Sequence, residues 1–306
     1  THTPTRHETG TGTLPATPIM RELFEQGGTF TTYHQSVLLT VPANLNQQRL
    51  TTALQTLIDH HDILRLTLNN THHKEPQLEI PPPGSINAAN LLHHADLTSH
   101  PDIPTAITQH QTTAQTRLNP QHGINLQAIH LTLGPTTPGR LLLLAHHLVI
   151  DGVSWRILIP DLTHTYHHPT TPLEPVPTSY RTWAHYLTQQ AHHPTHTTTL
   201  PHWTHTLQPH TTTPPPTPNT PLPTSELLHH TTTLPPEHTQ PLLTTTPATY
   251  HAGINDVLLT ALTLTLNHPN LNPHPNPDNT ILINLESHGR HELTPHLDLT
   301  RTIGWF

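Results

Sequence analysis

Cysteine is absent from the 306 residues, which removes disulfides, thiolate metal sites and thiol nucleophiles together. Racemases that work with a pair of thiols are excluded with them, and the composition fits a reducing compartment. Lysine is almost absent too: Lys74 stands alone in the polar stretch NNTHHKEPQ, a poor setting for the desolvated amine of a pyridoxal phosphate Schiff base. Aromatic residues make up 4%, so the core is expected to be rich in leucine and poor in rings. Basic side chains are scarce, 11 Lys and Arg against 19 Asp and Glu for a formal net charge of -8, leaving no electrostatic footprint for nucleic acid or an anionic membrane. No apolar run nears the roughly 20 residues of a membrane-spanning helix, and the polar start THTPTRHETGTG has no signal-peptide core. A soluble, cytoplasmic protein with neither nucleic acid nor membrane as partner is expected.

What the chain has in abundance is threonine, proline (36) and histidine (34). Its apolar residues must therefore gather in a few elements separated by polar connectors. Its length allows one large domain or two subdomains, each able to bury a core. TPIMRELFEQ (17–26) reads as a short helix and SVLLTVPANL (36–45) as a strand leading into a turn. Leu50, Ala53, Leu54, Leu57, Ile58 and Leu64 recur at helical spacing, the clearest amphipathic pattern present. A helix over 104–118 and a strand over 124–133 follow, then RLLLLAHHLVI (140–150), whose near-continuous apolar run predicts a strand buried on both faces. Ser154 reads as the N-cap of a helix interrupted by Pro160, and SYRTWAHYLTQQA and INDVLLTALTLTL (254–266) as further helices. TILINLE (280–286) reads as a strand, while the Thr, Pro and His runs at 163–178 and 193–224 read as loop or linker. The pattern is mixed α/β in two parts, split near residue 175.

Histidine is so common that adjacency carries little information: chance predicts about four His-His pairs, and seven occur. His72-His73, His167-His168 and His192-His193 lie in polar connectors and read as solvated. Without cysteine or an HExxH spacing, no metal site is expected. His146-His147 differs, because the pair ends a buried strand and is followed by Asp151 and Gly152, giving HHLVIDG. Side chains alternate along a strand, so one ring can face a cavity while the other is tied into the scaffold. Gly152 would permit a sharp exit into the helix, and Asp151 could orient the turn by pairing with an arginine.

HHLVIDG resembles the HHxxxDG signature of the condensation superfamily of nonribosomal peptide synthetases, whose fold is similar to that of chloramphenicol acetyltransferase. Val153-Ser154-Trp155 after that signature, LESHGRHEL (285–293) and DLTRTIGWF (298–306) resemble motifs typical of the epimerization domains within it. TPIMRELF, HQSVLL (34–39), IDHHDILR (58–65), SYRTWA (179–184) and INDVLLTAL (254–262) match in family order from end to end. Ser287 stands where the family has glycine, and Met20 and Glu22 where it prefers glutamine and tryptophan.

The resemblance implies an α/β fold of the α+β type, like chloramphenicol acetyltransferase, with mixed sheets in two subdomains: residues 1–175 carrying HHLVIDG, and a partial second subdomain, 176–306, carrying the two later motifs. Family domains continue through further motifs, so the second subdomain is expected to be incomplete. It further implies inversion, L to D, at the Cα of an aminoacyl or peptidyl thioester presented on the 4'-phosphopantetheine of a carrier protein, with no cofactor or metal held by the domain itself. The expected partners are a peptidyl carrier domain and neighbouring synthetase domains. Inversion needs a proton taken from one face and another returned to the opposite face of a planar enolate-like intermediate. His147 and Glu286 are the residues that match the family's proton-handling pair. His146, Asp151, Gly152, Ser154, Trp155 and Arg290 are expected to support the site, with Arg290 the candidate partner of Asp151. Two readings stand beside this one: a condensation domain that forms peptide bonds, and an inactive fragment that docks carrier proteins.

Overall fold

The computed structural model describes residues 10–27, 30–69, 76–207, 230–268, 281–290 and 297–306. Lys74, the His72-His73 pair, Thr280 and residues 291–293 of the LESHGRHEL motif lie outside them. In chain order the elements are β1 (Gly12–Leu14), α1 (Pro18–Gln26), β2 (His34–Val41), α2 (Gln47–His60), β3 (Thr67–Asn69), β4 (Gln77–Ile80), β5 (Leu92–Asp96), α3 (Ile103–Gln115), β6 (Leu126–Thr132), β7 (Gly139–His146) and α4 (Gly152–His167). Then come α5 (Tyr180–Ala191), α6 (Pro194–Thr197), α7 (Leu200–Thr206), α8 (Pro236–Leu243), α9 (Thr245–Tyr250) and α10 (Ile254–Leu266).

By its contacts the chain divides into two compact units, Thr1–Thr197 with Ser287–Phe306, and Thr198–Glu286. Residues 176–197 and 287–306 therefore lie in the unit that carries HHLVIDG. Tyr180, Trp183 and Ala184 of α5 share one buried cluster with Leu299, Ile303 and Trp305, which keeps α5 and the C-terminal motif with the first unit.

That unit is built on a mixed four-stranded sheet of order β2-β7-β6-β5, in which only the β5-β6 pair is parallel, and a smaller antiparallel sheet of order β1-β4-β3. β7 is central, and its alternation sorts the core. Leu141, Leu143 and Ala145 join the large cluster with residues of α2 and α4, whereas Leu142 and Leu144 face Ala106 and Ala114 of α3. The sheet is thus covered on both faces, as the continuous apolar run of β7 requires.

Side-chain caps set the starts of α2, α3, α4 and α5. Asn46, Asp102 and Ser179 accept backbone N–H groups in the first turns of α2, α3 and α5. Before α4 the cap is Asp151, which accepts from Ser154 N at 2.8 Å, and not Ser154 as the sequence suggested. α2 also stops earlier than its apolar spacing predicts. The buried guanidinium of Arg65 donates to Ile58 O (2.6 Å) and Asp59 O (2.9 Å), taking up carbonyls of its last turn, and the chain turns through a 3₁₀ segment, Asp62–Arg65, into β3.

Other expectations need correction. α4 continues to His167 into the run read as loop, and α6 and α7 occupy the first part of the stretch read as linker, whose residues 208–224 lie outside the described ones. Residues 281–286 form no strand. In the second unit, α8 and α9 precede α10, which spans the predicted residues 254–266 and leaves Leu258, Leu262 and Leu264 exposed.

Candidate active site around His147

The strand carrying the histidine motif ends at His146, four residues sooner than the apolar run over 140–150 predicts. His146 closes β7, opposite His34 of β2, and His147 opens a 3₁₀ turn, His147–Val149, that leads to the Asp151 cap. The two rings do separate, and their surroundings explain why. His146 is completely buried; its Nε2 lies 2.9 Å from the Phe30 carbonyl and its Nδ1 accepts from Leu148 N at 3.2 Å. A ring that donates at one nitrogen and accepts at the other is neutral. Burial is the main reason its pKa is lowered to about 4; the nearby His147 and His34 add to this and the Phe30 carbonyl opposes it. His146 is therefore a structural group, not a proton carrier near neutrality.

His147 is 9% exposed. Its backbone N–H continues the ladder to Tyr33 O (2.9 Å). The ring is stacked on Tyr33 at 4.7 Å and 14°, with Trp305 against it at 4.7 Å and 50°. Its Nε2 meets Gln35 Nε2 at 3.0 Å, and the Gln35 Oε1 accepts from the Trp155 indole at 3.0 Å. Gln35 reaches both because residues 35, 37 and 39 of β2 share a face, and Val37 and Leu39 on it pack against the core cluster that holds Trp155.

Asp151 and Arg290 form a bidentate pair, NH1 to Oδ2 at 2.6 Å and NH2 to Oδ1 at 3.0 Å. Ser154 sits inside this pair: its hydroxyl donates to Asp151 Oδ1 (2.7 Å) and accepts from Gly304 N and Arg290 NH2 (both 3.1 Å). Arg290 also donates through Nε to Thr302 O at 3.2 Å and lies 3.9 Å over the ring of Phe306. The C-terminal RTIGWF segment is thereby bound to the histidine motif through one arginine. Tyr180 adds a hydrogen bond from its hydroxyl to the Trp305 carbonyl, and burial pushes its phenol pKa up.

Gly152 has no positive φ, and a Cβ there would meet nothing within 4 Å, so a sharp turn is not what glycine serves at this position. Glu286 is the last residue of the second unit and is exposed, in a run without regular structure. Gln35 and Trp305, which lie within the HQSVLL and DLTRTIGWF motifs, and Tyr33, which lies outside them, are the groups against the His147 ring, and sequence reading gave none of them a role. It also missed a second network, in which Arg301 donates to both oxygens of Asp161 (2.8 and 2.7 Å) beside His61 at 2.8 Å. Burial opposes ionisation of Asp161, yet its hydrogen bonds from His61 and Arg301 hold the carboxyl below the usual range. Among the described residues, His60, His61 and Asp161 form the one cluster with metal-ligand geometry. The guanidinium already on both carboxylate oxygens makes it a poor cation site.

The family model for the condensation domain matches residues 19–306. The chain belongs to the condensation-domain family. The domain is 33% and 35% identical to two linear gramicidin synthase chains of Brevibacillus parabrevis, each over 97% of this chain and 6% of the relative. It thus spans a small part of the multidomain synthetases that it matches. Among solved structures, the condensation domain is similar to the epimerization domain from the third module of tyrocidine synthetase B, with a TM-score of 0.78 and 25% identity over 97% of this chain and 67% of that one. The condensation domain of the Monacolin K polyketide synthase MokA shares the fold, with a TM-score of 0.66 at 15% identity over 96% and 66% of the two chains. This is a condensation or epimerization type domain of the nonribosomal peptide synthetases, an enzymatic family with a fold like chloramphenicol acetyltransferase. Among the described residues no helix is long and apolar enough to cross a membrane.

Proposed function

We propose that the chain epimerises, L to D, the Cα of an aminoacyl or peptidyl thioester carried on the phosphopantetheine of a peptidyl carrier domain within a nonribosomal peptide synthetase. The observation that carries this reading is the junction of motifs: Arg290 of the epimerization-like LESHGR run pairs with Asp151 of HHLVIDG, and Trp305 of RTIGWF packs on His147. The likeness to a solved epimerization domain supports it.

In this reading, one of His147 and Glu286 takes the Cα proton while its electron pair moves into the thioester carbonyl. The other returns a proton to the opposite face of the planar intermediate. Neither a metal nor a cofactor of the domain's own takes part. The phosphopantetheine arm belongs to the carrier, which is the proposed partner along with the neighbouring synthetase domains.

The test presents a carrier-bound L-aminoacyl thioester in deuterium oxide to this chain, alone and joined to downstream sequence of an epimerization-type relative. Deuterium at Cα and a mixture of D and L residues after release are expected, and both should be lost in His147→Ala and Glu286→Gln. A product elongated only when a second, acceptor-loaded carrier is added, with no Cα exchange, would make the domain a condensation catalyst. Carrier binding with neither reaction would make it a docking module.

A further inference from the structure

We propose that Gln35 is a positioning residue for His147: held by the indole of Trp155, its amide keeps the imidazole in the tautomer with hydrogen on Nδ1 and the lone pair on Nε2. Trp155 Nε1 can only donate, so the Gln35 atom 3.0 Å from it is the carbonyl oxygen. The NH2 end of the amide then faces His147 Nε2, also at 3.0 Å. Two N–H groups cannot share that line, so Nε2 accepts and the ring hydrogen of neutral His147 sits on Nδ1. Turning the amide over gives no escape, because it would set NH2 against the indole N–H. An imidazolium meets the same conflict, with Nε2–H against NH2.

The relay joins three elements. Gln35 comes from β2, His147 from the turn that follows β7 and Trp155 from the first turns of α4; Trp155 is 7% exposed and His147 is buried, and Gln35 between them is half-buried. The consequence for catalysis rests on the proposed proton transfer: where His147 is the group that takes the Cα proton, the atom that takes it is Nε2, and the Gln35 amide must yield its place there as the substrate arrives.

Ring-nitrogen NMR of the full chain labelled in histidine tests the relay, with the His147 signals assigned by their loss in His147→Ala. The wild type should show the Nδ1–H tautomer as the major form near neutral pH, since the Nε2–H form leaves the bond between Gln35 and His147 unmade. In Trp155→Phe the amide is free to turn, and both tautomers should appear. In Gln35→Glu the carboxylate accepts from both neighbours, so the hydrogen should move to Nε2. A wild-type His147 protonated on Nε2, or a Trp155→Phe spectrum unchanged from wild type, would overturn the proposal even if Gln35→Glu fails to fold. Because no substrate is present, a chain with the expected tautomer but no Cα exchange refutes the epimerase reading alone.

Discussion

Loss of Arg290 should cost this fold heavily. Its side chain is 6% exposed and that of Asp151 13%, and the pair ties the start of α4 to the last residues of the chain. Replacing Arg290 with Met removes the bidentate pair, the bond to the Ser154 hydroxyl, the bonds to the Thr302 carbonyl and the stacking on Phe306. Breaking a buried ion pair from one side costs about 3–5 kcal/mol. Asp151 keeps the Ser154 N–H and hydroxyl as donors, which points to the lower end, about 3 kcal/mol. That is a large fraction of the ~5–15 kcal/mol that holds a domain folded. Urea unfolding followed by tryptophan fluorescence suits the measurement, since Trp155, Trp183 and Trp305 are all buried in the first unit. Asp151→Asn keeps a good cap for α4 and removes the charge. The double variant should therefore be more stable than the two single losses predict, by at least about 1 kcal/mol. Losses that simply add, or an Arg290→Met penalty below about 1 kcal/mol, would mean that the pair is incidental to the fold and that the two motifs are held together by the apolar contacts of Ile303 and Trp305.

Three further outcomes follow from the same geometry. His146 has its folded pKa lowered to about 4 from 6.5, so the unfolded chain binds the proton first. The stability due to this group is complete above pH ~6.5 and is lost as pH falls toward ~4, about 3 kcal/mol in all; urea midpoints against pH should be flatter over that window in His146→Gln, and equal slopes would refute the assignment. Gly304 has φ +149° and a Cβ there would stand 2.3 Å from the buried Tyr180 ring, so Gly304→Ala should lower stability by at least about 2 kcal/mol, and a melting temperature within a degree of wild type would contradict this. Gly152→Ala should behave oppositely, keeping or raising stability by about 0.4–1 kcal/mol, since nothing lies within 4 Å of the added methyl; a clear loss of stability would show that the space is not open.

Much of the first unit was legible in the sequence wherever apolar spacing was dense. β6 in this unit and α10 in the second fall within two residues of their predicted spans, α3 ends three residues before its own, and HHLVIDG drew attention to His147 through a histidine pair at the end of a buried strand. The Asp151-Arg290 pair could be anticipated through the family resemblance, which made Arg290 the candidate partner of Asp151, and the structure pairs them. The Gln35 relay could not. Gln35 is a polar residue at an alternating position of β2, a pattern that reads as solvent-facing. Only the register with β7, together with the placement of Trp155, turns it inward.

The clearest failures came from treating threonine as a mark of loops. In α2, Thr51, Thr52 and Thr56 each return the hydroxyl to the carbonyl four residues back, and Thr108, Thr112 and Thr113 do so in α3. Thr163 and Thr165 do the same in the stretch of α4 that composition assigned to a loop. A hydroxyl used in this way is satisfied within the helix, so threonine, although a weaker helix former than alanine because of its β-branch, does not by itself mark a loop. Proline misleads in a similar manner. It stands in the first turn of α1, α3, α7 and α8, where its missing N–H would have had no partner and its fixed φ already suits the helix. Within this chain a Thr-Pro stretch that precedes leucines at helical spacing is therefore better read as the start of a helix than as the end of one, and the run from Pro194 to Thr206, read as linker and folded into α6 and α7, is where that reading changes the answer.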